Sequence, residues 1–205
     1  MAEKLILIRH GALEPEHTGR FVGLSDVCLS AAGRRQAEAL GKYFEKPEPV
    51  HVLVSPLRRA METAELALRP SGHSFSVDHE LREIDFGDWE KKTFDEISAA
   101  DPENAARWGR FERDFAFPGG ESLQSFTDRV ERLAGRVAAH PAQTIVAITH
   151  GGVIRFLICH FLGLRPRDYL LFTVDYASIS ILDLFDGAGV LKRLNDVGHL
   201  EENNG

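Results

Sequence analysis

Short apolar runs recur along the chain, each bounded by polar or turn-forming residues. The runs at residues 4–8, 50–54 and 144–148 are rich in isoleucine, leucine and valine. That composition is typical of strands that are buried on both faces of a sheet. We therefore predict three buried strands at these places. A shorter strand is predicted around Phe75 to Val77, and a final strand pair at 178–184 and 190–194.

Between these strands the apolar residues recur every three or four positions, which is the spacing of an amphipathic helix. The predicted helices run from about 31 to 45 after an N-cap at Ser30, from Leu57 to Leu68, from 93 to 113 with a break at Pro102, from Ser122 to about 139, and from 152 to 163. Pro47 and Pro49 are expected to end the first helix and Pro70 the second. The last segment is apolar nearly all round, so we predict a buried helix there.

The alternation of strands with helices predicts an α/β fold. We expect a three-layer α/β/α sandwich with a mostly parallel central sheet. No repeat, low-complexity segment or linker interrupts residues 1–205, which are therefore predicted to form a single domain.

Ligands of such sheets bind beyond the carboxyl ends of the strands. Arg9-His10-Gly11, Ser55 to Arg59 and Thr149-His150-Gly151-Gly152 follow the three buried strands. The three polar clusters should therefore meet at one edge of the sheet.

Composition limits the classes of ligand. The hydrophobic fraction of 43% in 205 residues suffices for one core, and no apolar run approaches the roughly 20 residues that span a bilayer.

The N-terminal run is too short for a signal peptide, so we expect a cytoplasmic protein with no membrane partner. Cys28 and Cys159 are not expected to form a disulfide there. The net charge of −7 and the lack of a long basic run argue against nucleic acid.

An anionic ligand would have to be attracted by local positive charge, because the net charge of the chain is negative. The predicted edge supplies arginines, whose planar fork of donors matches phosphate oxygens, and it supplies helix N-termini with free N–H groups. The two histidines at this edge could instead bind a metal, but neighbouring arginines disfavour a cation. We therefore predict a pocket for a tetrahedral dianion and no metal site or cofactor.

Five segments, in this order, carry a resemblance to a known family: LILIRHG, SPLRRAMETA, LREIDFGDWE, FPGGESL and ITHGGVIR. They resemble the histidine phosphatase superfamily, also called the phosphoglycerate mutase-like family. The match extends from residue 4 to about 200. The resemblance implies a metal-independent phosphomonoesterase with a phosphoglycerate mutase-like fold that acts through a phosphohistidine.

The resemblance also implies roles for individual residues. His10 matches the nucleophile, and Glu83 matches the general acid that protonates the leaving oxygen. Arg9 and Arg59 match arginines that bind the phosphate, and His150 matches the second histidine, which stabilises the transition state. Arg20, Gly23, Ser25 and Gly151 are further candidates for contact with the substrate.

Three positions depart from the family pattern. Ala12 and Leu13 stand where a glutamate and a polar residue often follow the RHG motif, and Lys91 stands where a glycine is common. These departures leave the chemistry intact, but they bear on the choice of substrate.

Within the superfamily the chain most resembles compact bacterial phosphatases, including those that act on α-ribazole 5′-phosphate. The expected substrate is accordingly a small phosphorylated metabolite, and a homodimer is left open. A phosphoglycerate mutase is an alternative. It is disfavoured because the mutases typically carry a long insertion that excludes water, and the stretch between Trp89 and the Gly-Glu-Ser turn is too short to contain one. A catalytically silent phosphate-binding protein is the alternative from another class.

Overall fold

The computed structural model describes residues 1–45, 50–112 and 114–201. Within them, one sheet of six strands has the order β3-β2-β4-β1-β5-β6. The strands are β1 (Lys4–Arg9), β2 (Val50–Val54), β3 (Phe75–Val77), β4 (Thr144–Thr149), β5 (Ile179–Phe185) and β6 (Ala188–Asp196). The first four are parallel to one another, and β5 runs antiparallel to both of its neighbours, β1 and β6. The predicted α/β fold with a mostly parallel sheet is confirmed.

Seven helices accompany the sheet in the described part of the chain. They are α1 (Ala31–Leu40), α2 (Arg58–Leu68), α3 (Phe94–Ala100), α4 (Pro102–Gly109), α5 (Leu123–Ala139), α6 (Gly151–Phe161) and α7 (Gly198–Glu201). Short 3-10 helices also form at residues 15–17, 41–44, 79–81, 87–89 and 166–171. No helix in the described ranges combines the length and the apolar character that crossing a membrane requires.

One helix prediction needs correction, and a predicted helix break is found in the structure. The first helix ends at Leu40 and continues as a 3-10 turn over Gly41–Phe44, whereas Pro47 and Pro49 lie outside the described residues. The segment 93–113 was predicted to be helical with a break at Pro102, and that break is found: Asp101 ends α3 and caps α4 by accepting a hydrogen bond from the Asn104 N–H. The second helix ends at Gly109, and residue 113 lies outside the described residues. Pro102 then occupies the first turn of α4, where its missing N–H costs no hydrogen bond.

The side chains of β1 alternate between two hydrophobic layers. Leu5 and Leu7 pack in a core cluster that includes residues of α5 and α6. Ile6 and Ile8 pack in a second cluster that includes residues of α1 and α2. Strands buried on both faces explain the unbroken apolar runs in the sequence, and helices on both faces make the three layers.

The strand register fixes the position of the polar clusters. Arg9 pairs with Thr149, and Val54 pairs with Ile148, so three neighbouring strands end at nearly the same level. The next residues are His10, Ser55 and His150. The Ser55 N–H donates to the Ile148 carbonyl oxygen (3.0 Å), and the His10 N–H donates to that of Thr149 (3.0 Å). The sheet thus brings the clusters to one edge, as the sequence predicted.

Candidate active site

Two imidazoles lie together at the carboxyl edge of the sheet. The ring centroids of His10 and His150 are 5.2 Å apart, and the residues are 3% and 0% exposed. The Tyr176 ring lies on another side of His10, with a centroid distance of 5.5 Å. Because β1 and β4 are adjacent and in register, residues 140 positions apart in sequence become neighbours.

Hydrogen bonding assigns the tautomer of His10. Its Nδ1 lies 2.8 Å from the Gly11 carbonyl oxygen. A carbonyl oxygen only accepts, so Nδ1 carries the proton and Nε2 keeps its lone pair. Burial lowers the pKa of His10 well below the ordinary value of 6.5, and the positive charges of Arg59 and Arg9 lower it further. The ring therefore stays neutral and nucleophilic at neutral pH.

His150 is held by Ser55, a residue that the sequence reasoning did not assign. The Ser55 Oγ accepts from the Leu57 N–H (3.3 Å) and lies 2.7 Å from His150 Nε2. Among the described residues the buried hydroxyl has no other acceptor for its proton, so we assign that proton to the hydrogen bond with Nε2. His150 Nδ1 then carries the ring proton, and no residue accepts from it. Burial lowers the pKa of His150 well below its ordinary value, and electrostatic repulsion from Arg59, His10 and Arg9 lowers it further. His150 is a neutral donor.

Two arginines add positive charge beside His10. Arg9 donates from Nη1 to the Val174 carbonyl oxygen (2.6 Å), and its guanidinium lies 4.0 Å over the Tyr176 ring. Arg59 is 1% exposed, and burial lowers its pKa to about 10. Burial lowers the pKa of Arg9 as well. Arg59 remains charged at neutral pH, because a pKa of about 10 lies well above it.

Near His10, three buried nitrogen atoms have no hydrogen-bond partner among the described residues: Arg9 Nε, Arg59 Nε and His150 Nδ1. Buried donors are normally paired, and an unpaired one is costly, by about 1–3 kcal/mol. Unpaired donors beside a neutral imidazole are suited to the oxygens of a bound tetrahedral anion. This arrangement is what a phosphoryl group requires.

Glu83 is fixed at the same edge. It is 7% exposed, and its carboxylate accepts from the Gly152 N–H in the first turn of α6 (3.0 Å) and from its own neighbour Ile84 (3.1 Å). The Thr149 hydroxyl donates to the Leu81 carbonyl oxygen (2.6 Å), which ties this segment to the end of β4. A Cβ at position 152 would collide with the carboxylate, so the glycine permits the contact.

The loop at residues 22–25 is clamped between an acid and a base. The Glu90 carboxylate accepts from the N–H groups of Gly23, Leu24 and Ser25 and from the Ser25 hydroxyl. Arg59 donates to the carbonyl oxygens of residues 22, 23 and 25. The loop thereby links Glu90 to Arg59 and helps to hold the guanidinium in place.

A cavity of about 250 Å³ opens above His10. Its polar lining comprises Arg9, His10, Arg20, Glu83, Arg155, Tyr169 and Tyr176. Its apolar lining comprises Leu13, Phe21, Val22, Ile84, Phe86, Trp108 and Leu170, with three glycines. The aromatic rings of Phe21, Phe86 and Trp108 form one wall, with Phe21 edge-on to both others. The cavity thus joins a cationic end to an aromatic side.

The structure separates the predicted substrate contacts. Arg9, Gly151 and Arg20 line the cavity, although Arg20 also donates to the Lys91 carbonyl oxygen and to Glu96 at the rim. Gly23 and Ser25 do not line it, because their N–H groups point to Glu90. The structure thus shows these two residues anchoring the loop, and their direct contact with the substrate stays a prediction.

His150 and Arg59 also lie outside the cavity lining and are buried next to His10. Residues that the sequence reasoning missed include Ser55, Glu90, Arg155, Tyr169 and Tyr176. Trp89 is 3% exposed and belongs to the core, whereas Trp108 lines the cavity. In the described ranges, no three His, Cys, Asp or Glu side chains converge as metal ligands would.

The departures from the family pattern have structural explanations. The Ala12 carbonyl oxygen accepts from the N–H and hydroxyl of Ser30, the N-cap of α1, and Leu13 is part of the cavity lining. Lys91 has a φ of 62°, a left-handed conformation that glycine adopts at low cost. The backbone geometry is therefore kept at position 91 without the glycine.

Comparison with known proteins agrees with this geometry. The family model described as "Histidine phosphatase superfamily (branch 1)" matches residues 5–197. Phosphoserine phosphatase 1 of Hydrogenobacter thermophilus is 32% identical over 97% of this chain and 95% of its own length. The adenosylcobalamin/alpha-ribazole phosphatase of Salmonella typhimurium is 32% identical over 94% of this chain and 96% of its own. The crystal structure of the alpha-ribazole phosphatase from Shigella flexneri superposes with a TM-score of 0.84 at 31% identity, covering 94% of this chain and 96% of that one.

Proposed function

Because this chain belongs to the histidine phosphatase superfamily, we propose that it is a phosphomonoester hydrolase whose nucleophile is His10. The observation that carries the proposal is the pair of facing imidazoles, His10 and His150, next to two buried arginines and Glu83. Each of these groups has a defined task in phosphoryl transfer.

In the first step His10 Nε2 attacks the phosphorus of the bound ester. The N–P bond forms as the P–O bond to the leaving group breaks. The negative charge of the phosphoryl oxygens is met by the unpaired donors of Arg9, Arg59 and His150, which are already in place before the reaction. The Nδ1 proton of His10 stays on the ring, and its hydrogen bond to the Gly11 carbonyl oxygen stabilises the charge that the ring acquires.

Glu83 supplies the proton for the leaving oxygen. A dianionic phosphate next to this carboxyl disfavours a further negative charge, so substrate binding promotes its protonated form. In the second step a water molecule attacks the phosphohistidine, Glu83 takes one of its protons, and inorganic phosphate leaves with the His10 ring restored. Both steps balance without a further reactant.

We propose that the reaction needs no metal ion. Two guanidinium groups carry the two positive charges that match a phosphoryl dianion, and the His150 N–H adds a directed hydrogen bond. Positive charge from a metal would have to approach two arginines, which repel it.

The substrate is proposed to be a small phosphorylated metabolite, in keeping with a cavity of about 250 Å³. α-Ribazole 5′-phosphate and phosphoserine are the first substrates to test, since relatives named for each align along nearly the whole chain. The aromatic wall offers a surface for a ring, and the cationic end offers partners for charged groups.

The test is release of phosphate from p-nitrophenyl phosphate and from these two metabolites, with a chelator present throughout. We expect turnover that the chelator does not change. Activity that disappears with the chelator and returns with a divalent metal would contradict the proposed mechanism. Absence of turnover across the panel would favour a silent phosphate-binding protein, and conversion of 3-phosphoglycerate to 2-phosphoglycerate would favour a mutase.

A further inference from the structure

Arg155 is a cation in the cavity that the proposed mechanism does not use. It lines the cavity from α6, is half-buried, and its Nε is buried without a hydrogen-bond partner. No carboxylate in residues 1–45, 50–112 and 114–201 pairs with its guanidinium. The half-buried Arg20 and Arg107 and the buried Arg129, in contrast, are paired with Glu96, Glu112 and Glu121. An unpaired arginine in a pocket is suited to an anion supplied by a ligand.

The position of Arg155 on α6 places it on the side of the leaving group. Gly152 in the first turn of this helix donates to Glu83, which is the proposed proton donor to the leaving oxygen. Arg155 follows Gly152 by three residues, so it lies on the same helix face about one turn, or roughly 5 Å, further on. The atoms of a substrate that continue past Glu83 therefore come within reach of Arg155.

Tyr169 adds a second donor near this arginine. Burial raises the pKa of Tyr169, and the positive charge of Arg155 acts against that rise, so the two groups are close in space. The Trp108 indole is also close to the tyrosine oxygen and acts on this pKa in the same direction as Arg155. Since an indole N–H only donates, the hydroxyl proton of Tyr169 remains available for another acceptor. Both side chains line the cavity.

Charge balance indicates the ligand group. Arg9 and Arg59 match the two negative charges of the phosphoryl group, which leaves the charge of Arg155 uncompensated. A carboxylate supplies one further negative charge and accepts bidentate hydrogen bonds from a guanidinium. A second phosphate dianion would be only half compensated by this one arginine.

We propose that Arg155 is the specificity-determining residue of the leaving-group side and that, with Tyr169, it binds a carboxylate on the substrate. This inference rests on the proposed function, because it assumes that the phosphoryl group lies at His10. It ranks phosphate esters of small hydroxy acids above α-ribazole 5′-phosphate, which has no carboxylate.

The experiment compares substrates that differ only by the carboxylate or its reduced form. One pair is phosphoserine and phosphoethanolamine, and the other is 3-phosphoglycerate and glycerol 1-phosphate. We expect kcat/KM to be at least about tenfold higher for the carboxylate member of each pair, as a charge-assisted hydrogen bond allows. Arg155→Met keeps most of the side-chain volume. It should lower kcat/KM by about tenfold to a hundredfold for the substrate with the carboxylate, and by less than about threefold for the substrate without it.

Three controls separate specificity from a general loss. Inorganic phosphate should inhibit the wild type and Arg155→Met with inhibition constants within about threefold of each other, because it occupies only the His10 end. Arg155→Lys keeps the charge without the fork and should recover part of the preference. Arg167→Met removes an exposed arginine from the neighbouring 3-10 segment and should leave the preference unchanged.

The inference is overturned if Arg155→Met slows both members of a pair equally and weakens phosphate inhibition, because Arg155 would then bind the phosphoryl group. It is equally overturned if the variant keeps the wild-type preference. Titration calorimetry of the same pairs with His10→Ala, alone and combined with Arg155→Met, requires no turnover. A failure of the proposed phosphatase activity therefore leaves the carboxylate preference measurable as a ratio of affinities.

Discussion

His10 and His150 leave opposite ends of the imidazole ring without a protein partner. In His10 the Nδ1–H donates to the Gly11 carbonyl oxygen, which leaves the Nε2 lone pair free for attack. In His150 the Nε2 accepts from the Ser55 hydroxyl, which leaves the Nδ1 proton free for donation. In the proposed mechanism, one residue type thus serves as nucleophile and as donor, and the difference is set by a single neighbouring group in each case.

The role of Glu83 is tested by the dependence on the leaving group. We expect Glu83→Gln to slow alkyl phosphates by about 10²–10⁴-fold, because an alkoxide leaves poorly without a proton. p-Nitrophenyl phosphate should be slowed much less, since its leaving group departs as a stable anion. The measurement is kcat/KM for a series of esters with graded leaving-group pKa values.

Asp88→Asn is the matched control for Glu83→Gln, since Asp88 is exposed five residues further on and should show no dependence on the leaving group. Equal slowing of all esters in Glu83→Gln would remove Glu83 as the proton donor.

At the scale of elements, the sequence predicted those features that depend on periodicity and nearest neighbours. The strands β2 and β3 match their predicted limits, and α5 and α6 match theirs to within two residues, because buried apolar runs and N-caps are local signals. The clamp of Glu90 on residues 22–25 was not predictable, since it joins segments more than 60 positions apart. Arg155 was overlooked because the surrounding helix is otherwise apolar, which indicates burial and not a cavity wall.

The contact between α6 and Glu83 yields a prediction about Gly152. In Gly152→Ala the new methyl group would collide with the Glu83 carboxylate and displace it. A displacement of about 1 Å lowers catalysis by about 10²-fold, so we expect a loss of that size in kcat/KM for alkyl phosphates.

Gly135→Ala in the middle of α5 is the control for this change. A Cβ there meets no atom within 4 Å. This variant should keep full activity and gain about 0.5–1 kcal/mol in the free energy of unfolding, because alanine is the better helix former. Wild-type activity in Gly152→Ala would show that the Glu83 position is not critical.

At the scale of the whole molecule, the burial of ionisable groups at one sheet edge links catalysis to stability. The negative net charge offers no attraction for an anionic substrate, so binding depends on the few arginines at this edge. Their positive charge and the surrounding burial also keep both histidines neutral. The single domain over 1–205, the homodimer and the cytoplasmic location suggested by the sequence stay predictions, because they depend on surfaces and surroundings beyond this edge.

The lowered pKa values of His10 and His150 predict how stability changes with pH. Above pH 6.5 the rings are neutral in the folded and unfolded states, so they add no pH dependence. Below pH 6.5 they gain a proton only in the unfolded state, so the free energy of unfolding falls as pH falls. Each ring contributes a slope of up to about 1.4 kcal/mol per pH unit.

The measurement is denaturant unfolding between pH 5 and 8, where carboxylates contribute little. The double variant His10→Asn/His150→Asn should have a flatter curve below pH 6.5. A curve as steep as that of the wild type would show that other groups control the effect.

The central claim is that the phosphoryl group passes through His10. The direct measurement is rapid mixing of the protein with substrate, quenching in base to preserve phosphohistidine, and peptide mapping by mass spectrometry. We predict a phosphorylated peptide that contains His10, an unmodified His150, and no phosphorylated peptide or turnover in His10→Ala. A phosphoryl group on His150, or turnover that persists in His10→Ala, would contradict the account.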